Sequence, residues 1–264
     1  MENIISVPPL SCLRGFRVWW LAGALLFLGA CASTNPQEKK LQAQQHFDEA
    51  MKADSLNLQK EKVAHLKEAI RISPQEPMYW VALGNAYFKN MDLDRAEKSY
   101  LKALKADPEY QGTYRQIGRL YMQRSEWKKA IFYLGKALQK PNVIDPVQLM
   151  NWQAYSHYRL GELARAEKIW MRALDIHESS QIRLNLALAY KEAERYELAR
   201  NALLKALELN PKLMPAHYAL GEIYYHKNKY ASAKRHFKEV IELEPMGEHA
   251  KFSQKYLDRM ASKK

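Results

Sequence analysis

The sequence predicts an all-α fold, an α-solenoid superhelix of about six helix-turn-helix repeats closed by a C-terminal capping helix. Three observations predict it: small and aromatic side chains recurring every 34 residues from residue 77 onward, prolines at the ends of the recurring segments, and an amphipathic stretch after the last of them. Composition agrees, because 47% of the 264 residues are hydrophobic, enough for a sizeable core and too many for wholesale disorder.

Residues 1–30 read as an export signal. Arg14 and Arg17 lead into an apolar run from Val18 to Ala30. A spanning helix needs about 20 apolar residues, whereas a shorter run behind positive charge reads as a signal-peptide core. The run ends in Leu28-Gly29-Ala30-Cys31, which resembles the lipobox of bacterial lipoproteins. That resemblance implies cleavage before Cys31, a diacylglyceryl thioether on its sulfur and acylation of the new amine. Ala32 stands where an aspartate would retain such a protein on the inner membrane. The resemblance therefore implies a lipid anchor in the outer membrane, facing the periplasm. The other cysteine, Cys12, lies in the removed segment, so no disulfide or cysteine metal site is expected in a mature monomer. Residues 31–40, small, polar and broken by Pro36, are expected to form a tether.

The formal charge is +12, and losing Glu2, Arg14 and Arg17 with the signal lowers it only to +11. Such a chain favours anionic neighbours: lipid headgroups, cell-wall polymer or an acidic protein surface. Export removes the usual nucleic-acid partners, so none is expected.

The repeats run in order along the chain. Residues 41–76 form a divergent first unit in which Leu66, Ala69 and Pro74 keep the pattern. The unit 77–110 carries Trp80, Leu83, Gly84, Tyr87, Ala96, Tyr100, Ala103 and Pro108. The unit 111–146 repeats this with Tyr114, Ile117, Gly118, Tyr121, Ala130, Leu134 and Ala137. The unit 147–179 is weaker, keeping Ala154, Ala166, Trp170 and Ala173. Units 180–213 (Leu186, Ala187, Tyr190, Ala199, Leu203, Ala206, Pro211) and 214–246 (Leu220, Gly221, Tyr224, Ala233, Phe237, Val240, Pro245) are regular. Small residues at the eighth, twentieth and twenty-seventh places let paired helices approach closely while large ones fill the gaps. Proline cannot continue a helix but can start the next. Residues 247–264 supply the cap, with Ala250, Phe252, Tyr256, Leu257 and Met260 on its apolar face.

This pattern resembles the tetratricopeptide repeat (TPR). The resemblance implies a concave protein-binding groove lined by the first helix of each unit. Carried onto this chain, it names Asn85, Phe88 and Lys89; Arg115, Arg119 and Met122; Asn151, Tyr155, Tyr158 and Arg159; Lys191; and Tyr218, Glu222, Tyr225 and His226. Aromatic and basic, this set suits an extended or helical segment with acidic and apolar side chains. A variant of the groove that clamps a partner's C-terminal carboxylate is not expected, because Val81, Gln116, Gln148 and Trp152 stand where it needs lysine, asparagine and arginine and only Asn85 fits.

No catalytic residue, cofactor or metal is expected. The eight histidines show no metal-ligand spacing with carboxylates, and neither a phosphate loop nor a nucleophile elbow occurs.

Among exported repeat lipoproteins the chain is most similar to the type IV pilus assembly pilotins, the PilF/PilW-like group. Its length, six units and the irregular junction from Lys136 to Pro146, which stretches one step to 36 residues, carry the resemblance. It implies a non-catalytic scaffold that binds or escorts the outer-membrane secretin. The alternative is an envelope adaptor that gathers peptidoglycan hydrolases or synthases.

Overall fold

A computed structural model describes residues 35–262, so the signal segment and Cys31 lie outside the described residues. These contain thirteen α-helices and no strand. The helices pair antiparallel as α1 (Pro36–Ser55) with α2 (Gln59–Ile72), α3 (Pro77–Lys89) with α4 (Leu93–Ala106), and α5 (Gln111–Gln123) with α6 (Trp127–Leu138). Then come α7 (Pro146–Arg159) with α8 (Leu163–Ile176), α9 (Ser180–Glu192) with α10 (Tyr196–Leu209), α11 (Met214–His226) with α12 (Tyr230–Leu243), and a last helix, α13 (Glu248–Ala261).

Each pair closes on one large side chain. Leu66, Tyr100, Leu134, Trp170, Leu203 and Phe237 are all fully buried and all occupy the twenty-fourth place of a unit, places in the divergent first unit being counted from Ala43. The eighth place opposite holds Ala50, Gly84, Gly118, Ala154, Ala187 or Gly221. The glycines are needed for close approach: a Cβ on Gly221 would stand 2.6 Å from the Phe237 ring, and one on Gly118 2.7 Å from the Leu134 side chain. The turn within each pair is also shared, since Asn57, Met91, Ser125, Gly161, Glu194 and Asn228 all have positive φ and all stand at the fifteenth place. One left-handed residue ends each first helix and aims the chain back along it.

Successive units are joined by apolar packing and by two polar clasps of similar composition, a glutamate held by a tyrosine and an arginine of the next unit. The Glu97 carboxylate accepts from the Tyr121 hydroxyl and from Arg124 of the next unit, both at 2.5 Å. Seventy residues on, Glu167 accepts from Tyr190 at 2.6 Å and from Arg195 at 2.8 Å. Burial pushes the Glu97 carboxyl up, but the Tyr121 and Arg124 hydrogen bonds outweigh it and hold it below 4.5. Because α3 touches α5, α5 touches α7, α7 touches α9 and α9 touches α11, the first helices together form the inner wall of the solenoid.

Three features differ from the sequence expectation. The tether expected over 31–40 is shortened, because helix α1 already starts at Pro36, with the Asn35 side chain accepting from Gln37 N at 3.2 Å. Proline is suited to the first position of a helix, where its missing N–H costs nothing, and here it starts one rather than breaking the chain. Pro146 likewise opens α7 rather than closing the unit before it, and Asp145 caps that helix by accepting from Gln148 N at 3.1 Å. At the C-terminus α13 does cover α12, with Tyr256 stacked on Phe237 at 4.7 Å and Ala250 buried. Phe252, however, is exposed, with Lys255 above its ring.

Candidate protein-binding groove

The inner wall is not uniform. Between α3 and α7 it presents a strip in which guanidinium groups alternate with aromatic rings. Arg119 of α5 lies 4.5 Å over the Phe88 ring of α3, and Arg115 lies 5.2 Å over Trp152 of α7. Arg159 lies 4.7 Å over Trp127 and donates to the Tyr155 hydroxyl at 3.1 Å, while Trp127 meets the Tyr155 ring edge-on at 5.9 Å. Met122 joins Trp127, Trp152 and Tyr155 around a hollow of about 310 Å³. A second hollow of about 340 Å³ reaches from Arg119 and Trp152 under the α6–α7 junction to Val143, Ile144 and Leu149. Arg119 and Trp152 line both, so the two hollows form one trough.

The charges in this trough are unequal. Arg115 donates to the Ile144 carbonyl at 3.2 Å and lies 3.8 Å from the Asp145 carboxylate, so it braces the junction. Arg119 and Arg159 are exposed, and among the described residues neither has a carboxylate within ion-pair distance. A guanidinium held over a ring is ordered there, which lowers the cost of receiving a carboxylate.

The remaining residues named from the sequence fall elsewhere. Asn151 is buried and accepts from Trp170 Nε1 at 2.9 Å and from Asn185 Nδ2 at 3.0 Å. It serves the core and not the groove, because the angular position that faces a partner in one unit faces the neighbouring helix here. Asn85 accepts from the buried Tyr100 hydroxyl at 2.8 Å, and Lys89 stands 3.6 Å from Asp54. Tyr158 donates to Glu192 of the next unit and packs 6.1 Å from Trp170.

Toward the C-terminus the groove residues satisfy one another. Lys191 donates to Glu222 at 2.5 Å, and Tyr218 meets His249 edge-on at 4.8 Å. Tyr225 meets Tyr256 at 4.8 Å and His226 at 5.8 Å. Burial, then the Glu222 charge, pushes the Tyr218 hydroxyl up to about 12. This cluster is closed by α13, so the open end of the strip is the α3–α7 stretch.

Sequence reading missed Trp127 and weighed Trp152 only as a residue that does not fit the carboxylate-clamp variant. Both stand at places the repeat pattern leaves free, and a tryptophan at an unconstrained surface place is the signal that could have found them. It also missed a group at the other end. The expectation that no histidine stands at ligand spacing to a carboxylate does not hold for His46 and Glu49, three apart on α1, which meet His65 of α2. The third member comes from the facing helix, which linear spacing does not reveal.

The tetratricopeptide repeat model matches residues 77–110, and a second model of the same repeat matches 115–180 and 184–250. Among solved structures, PilW, a type IV pilus biogenesis factor, is 17% identical with a TM-score of 0.71, over 80% of this chain and 97% of that one. The pilF protein of Pseudomonas aeruginosa is 14% identical with a TM-score of 0.68, over 85% and 99%. Among curated relatives, tetratricopeptide repeat protein 6 of Homo sapiens is 23% identical over 76% of this chain, and the BBSome member BBS4 of Bos taurus 27% over 69%. The chain spans only 39% and 35% of the length of those two.

Proposed function

The chain belongs to the tetratricopeptide repeat family, and from that premise we propose that it is a non-catalytic scaffold that seats an acidic, apolar protein segment in the α3–α7 trough. The observation that carries this is the pair Arg119 and Arg159, exposed, lying over Phe88 and Trp127, and among the described residues without a carboxylate at ion-pair distance. Rings supply contact area at low entropy cost, and each guanidinium offers a fork to one carboxylate of the partner. The scaffold is anchored by a lipid on Cys31 in the outer membrane, facing the periplasm, and it assists type IV pilus biogenesis by binding or escorting the secretin. Similarity to PilF and PilW over nearly their whole length supports the pilus role.

The test is Arg119→Glu with Arg159→Glu, Arg115 being left in place because it braces the junction. Each reversal is expected to weaken secretin capture by about 30-fold or more, the effect of losing a hot spot worth roughly 2 kcal/mol. Undiminished capture by a double variant of wild-type helicity would refute the trough. In cells, deletion should leave secretin monomers unassembled and abolish twitching. Normal multimers would remove the pilus role, and pull-down of peptidoglycan hydrolases or synthases with piliation intact would install an envelope adaptor instead. Replacing Cys31 by serine should release the protein from the membrane fraction.

A further inference from the structure

The pairs of the first and last units share a feature the repeat does not require. In each, two histidines 19 residues apart bring their rings together: His46 with His65, and His217 with His236. In the last unit the arrangement is a packing contact. His217 and His236 are buried, their Nδ1 atoms stand 3.0 Å apart, and His217 Nε2 meets the Pro211 carbonyl at 2.9 Å. Ring approach alone is therefore no sign of a site.

The first unit adds a carboxylate. Glu49 occupies the seventh place, where later units bury Leu83, Ile117, Leu186 and Leu220. Among the described residues no unit precedes the first, so this face stays open and the Glu49 side chain is 49% exposed. Its Oε2 lies 3.3 Å from His46 Nδ1 and 2.9 Å from His65 Nδ1, and the two nitrogens are 3.5 Å apart. Zinc bonds of about 2.0–2.2 Å to nitrogen and oxygen set tetrahedral donors about 3.3–3.5 Å from one another. The three donors thus already form a triangle close to one face of that tetrahedron.

We propose that His46, Glu49 and His65 bind a divalent transition-metal ion, for which Zn²⁺ is the best match. Two imidazole nitrogens and one carboxylate oxygen form a donor set suited to zinc, and the open face leaves the fourth position to water. The ion ties α1 to α2 at the end of the solenoid where, among the described residues, no further unit packs.

Titrating Zn²⁺ into the purified full chain with its thiols alkylated, by calorimetry and with Co²⁺ as a visible probe, is the test. One ion per chain is expected. His65→Gln should lower the affinity by at least the roughly 10- to 100-fold that losing even an outer-shell partner costs, and Glu49→Gln should weaken it as well. Glu49→Gln replaces an exposed side chain and keeps the test independent of folding. His236→Gln, at the matching place of the last unit, should bind as wild type. Absence of saturable one-to-one binding, or unchanged affinity in both first-unit variants, would overturn the site, as would loss of binding in His236→Gln alone.

Discussion

Replacing Asn151 by alanine separates a core role from a groove role. The substitution strands the Trp170 indole N–H, whose side chain is fully buried. An unmet buried donor costs about 1–3 kcal/mol. Asn185, the other donor to Asn151, is only half-buried and can turn to water, so it adds little. The void left by the amide adds on the order of 1 kcal/mol at ~24 cal/mol per Å³. The expected loss is therefore about 2–4 kcal/mol, read as a lower urea midpoint at unchanged slope by far-ultraviolet circular dichroism. Trp170→Phe has no N–H to strand, so Asn151→Ala should cost about 1–2 kcal/mol less in that background, a coupling a double-mutant cycle measures directly. A loss below about 1 kcal/mol, or one of the same size in both backgrounds, would refute the hydrogen-bonded role and return Asn151 to the groove.

Gly161 has a φ of +77° and a Cβ added there would meet nothing within 4 Å, so Gly161→Ala is expected to cost about 1 kcal/mol from backbone conformation alone. Glu194→Gly, at the same place of the next unit, should gain up to about 1 kcal/mol in the same urea assay. Glu97 is held below its ordinary 4.5, so its contribution is present above pH 4.5 and is lost as pH falls through the lowered value. Accordingly, Glu97→Gln should be less stable than wild type at pH 7 and show a shallower loss of stability below pH 4.5 in acid titrations of the unfolding midpoint.

The helix pairs were legible because close approach forces small residues to recur, and Gly84, Gly118 and Gly221 each face the large residue sixteen places on. The rest was obscured for two reasons. Pro36 alone reads equally as a breaker or a starter, and only the Asn35 cap decides. Contacts made across helices leave no linear trace: Glu97 finds Tyr121, Asn151 finds Trp170, and His65 finds His46 and Glu49. Of the residues assigned to the groove by position, Arg119, Met122, Tyr155 and Arg159 meet in one trough, whereas Tyr218 and Tyr225 are covered by the last helix. Position in a repeat gives a direction along the inner wall but not the neighbour met there.

The early start of α1 bears on the lipid anchor proposed for Cys31. Were Cys31 lipidated as proposed, the backbone from there to Pro36 would reach at most about 18 Å even when pulled straight. The 20-residue helix beyond it is rigid over about 30 Å. On the proposed anchoring, so short a leash would hold the solenoid close over the headgroups and leave it little freedom to search the periplasm. On that proposal a partner would have to come down to the bilayer to be caught.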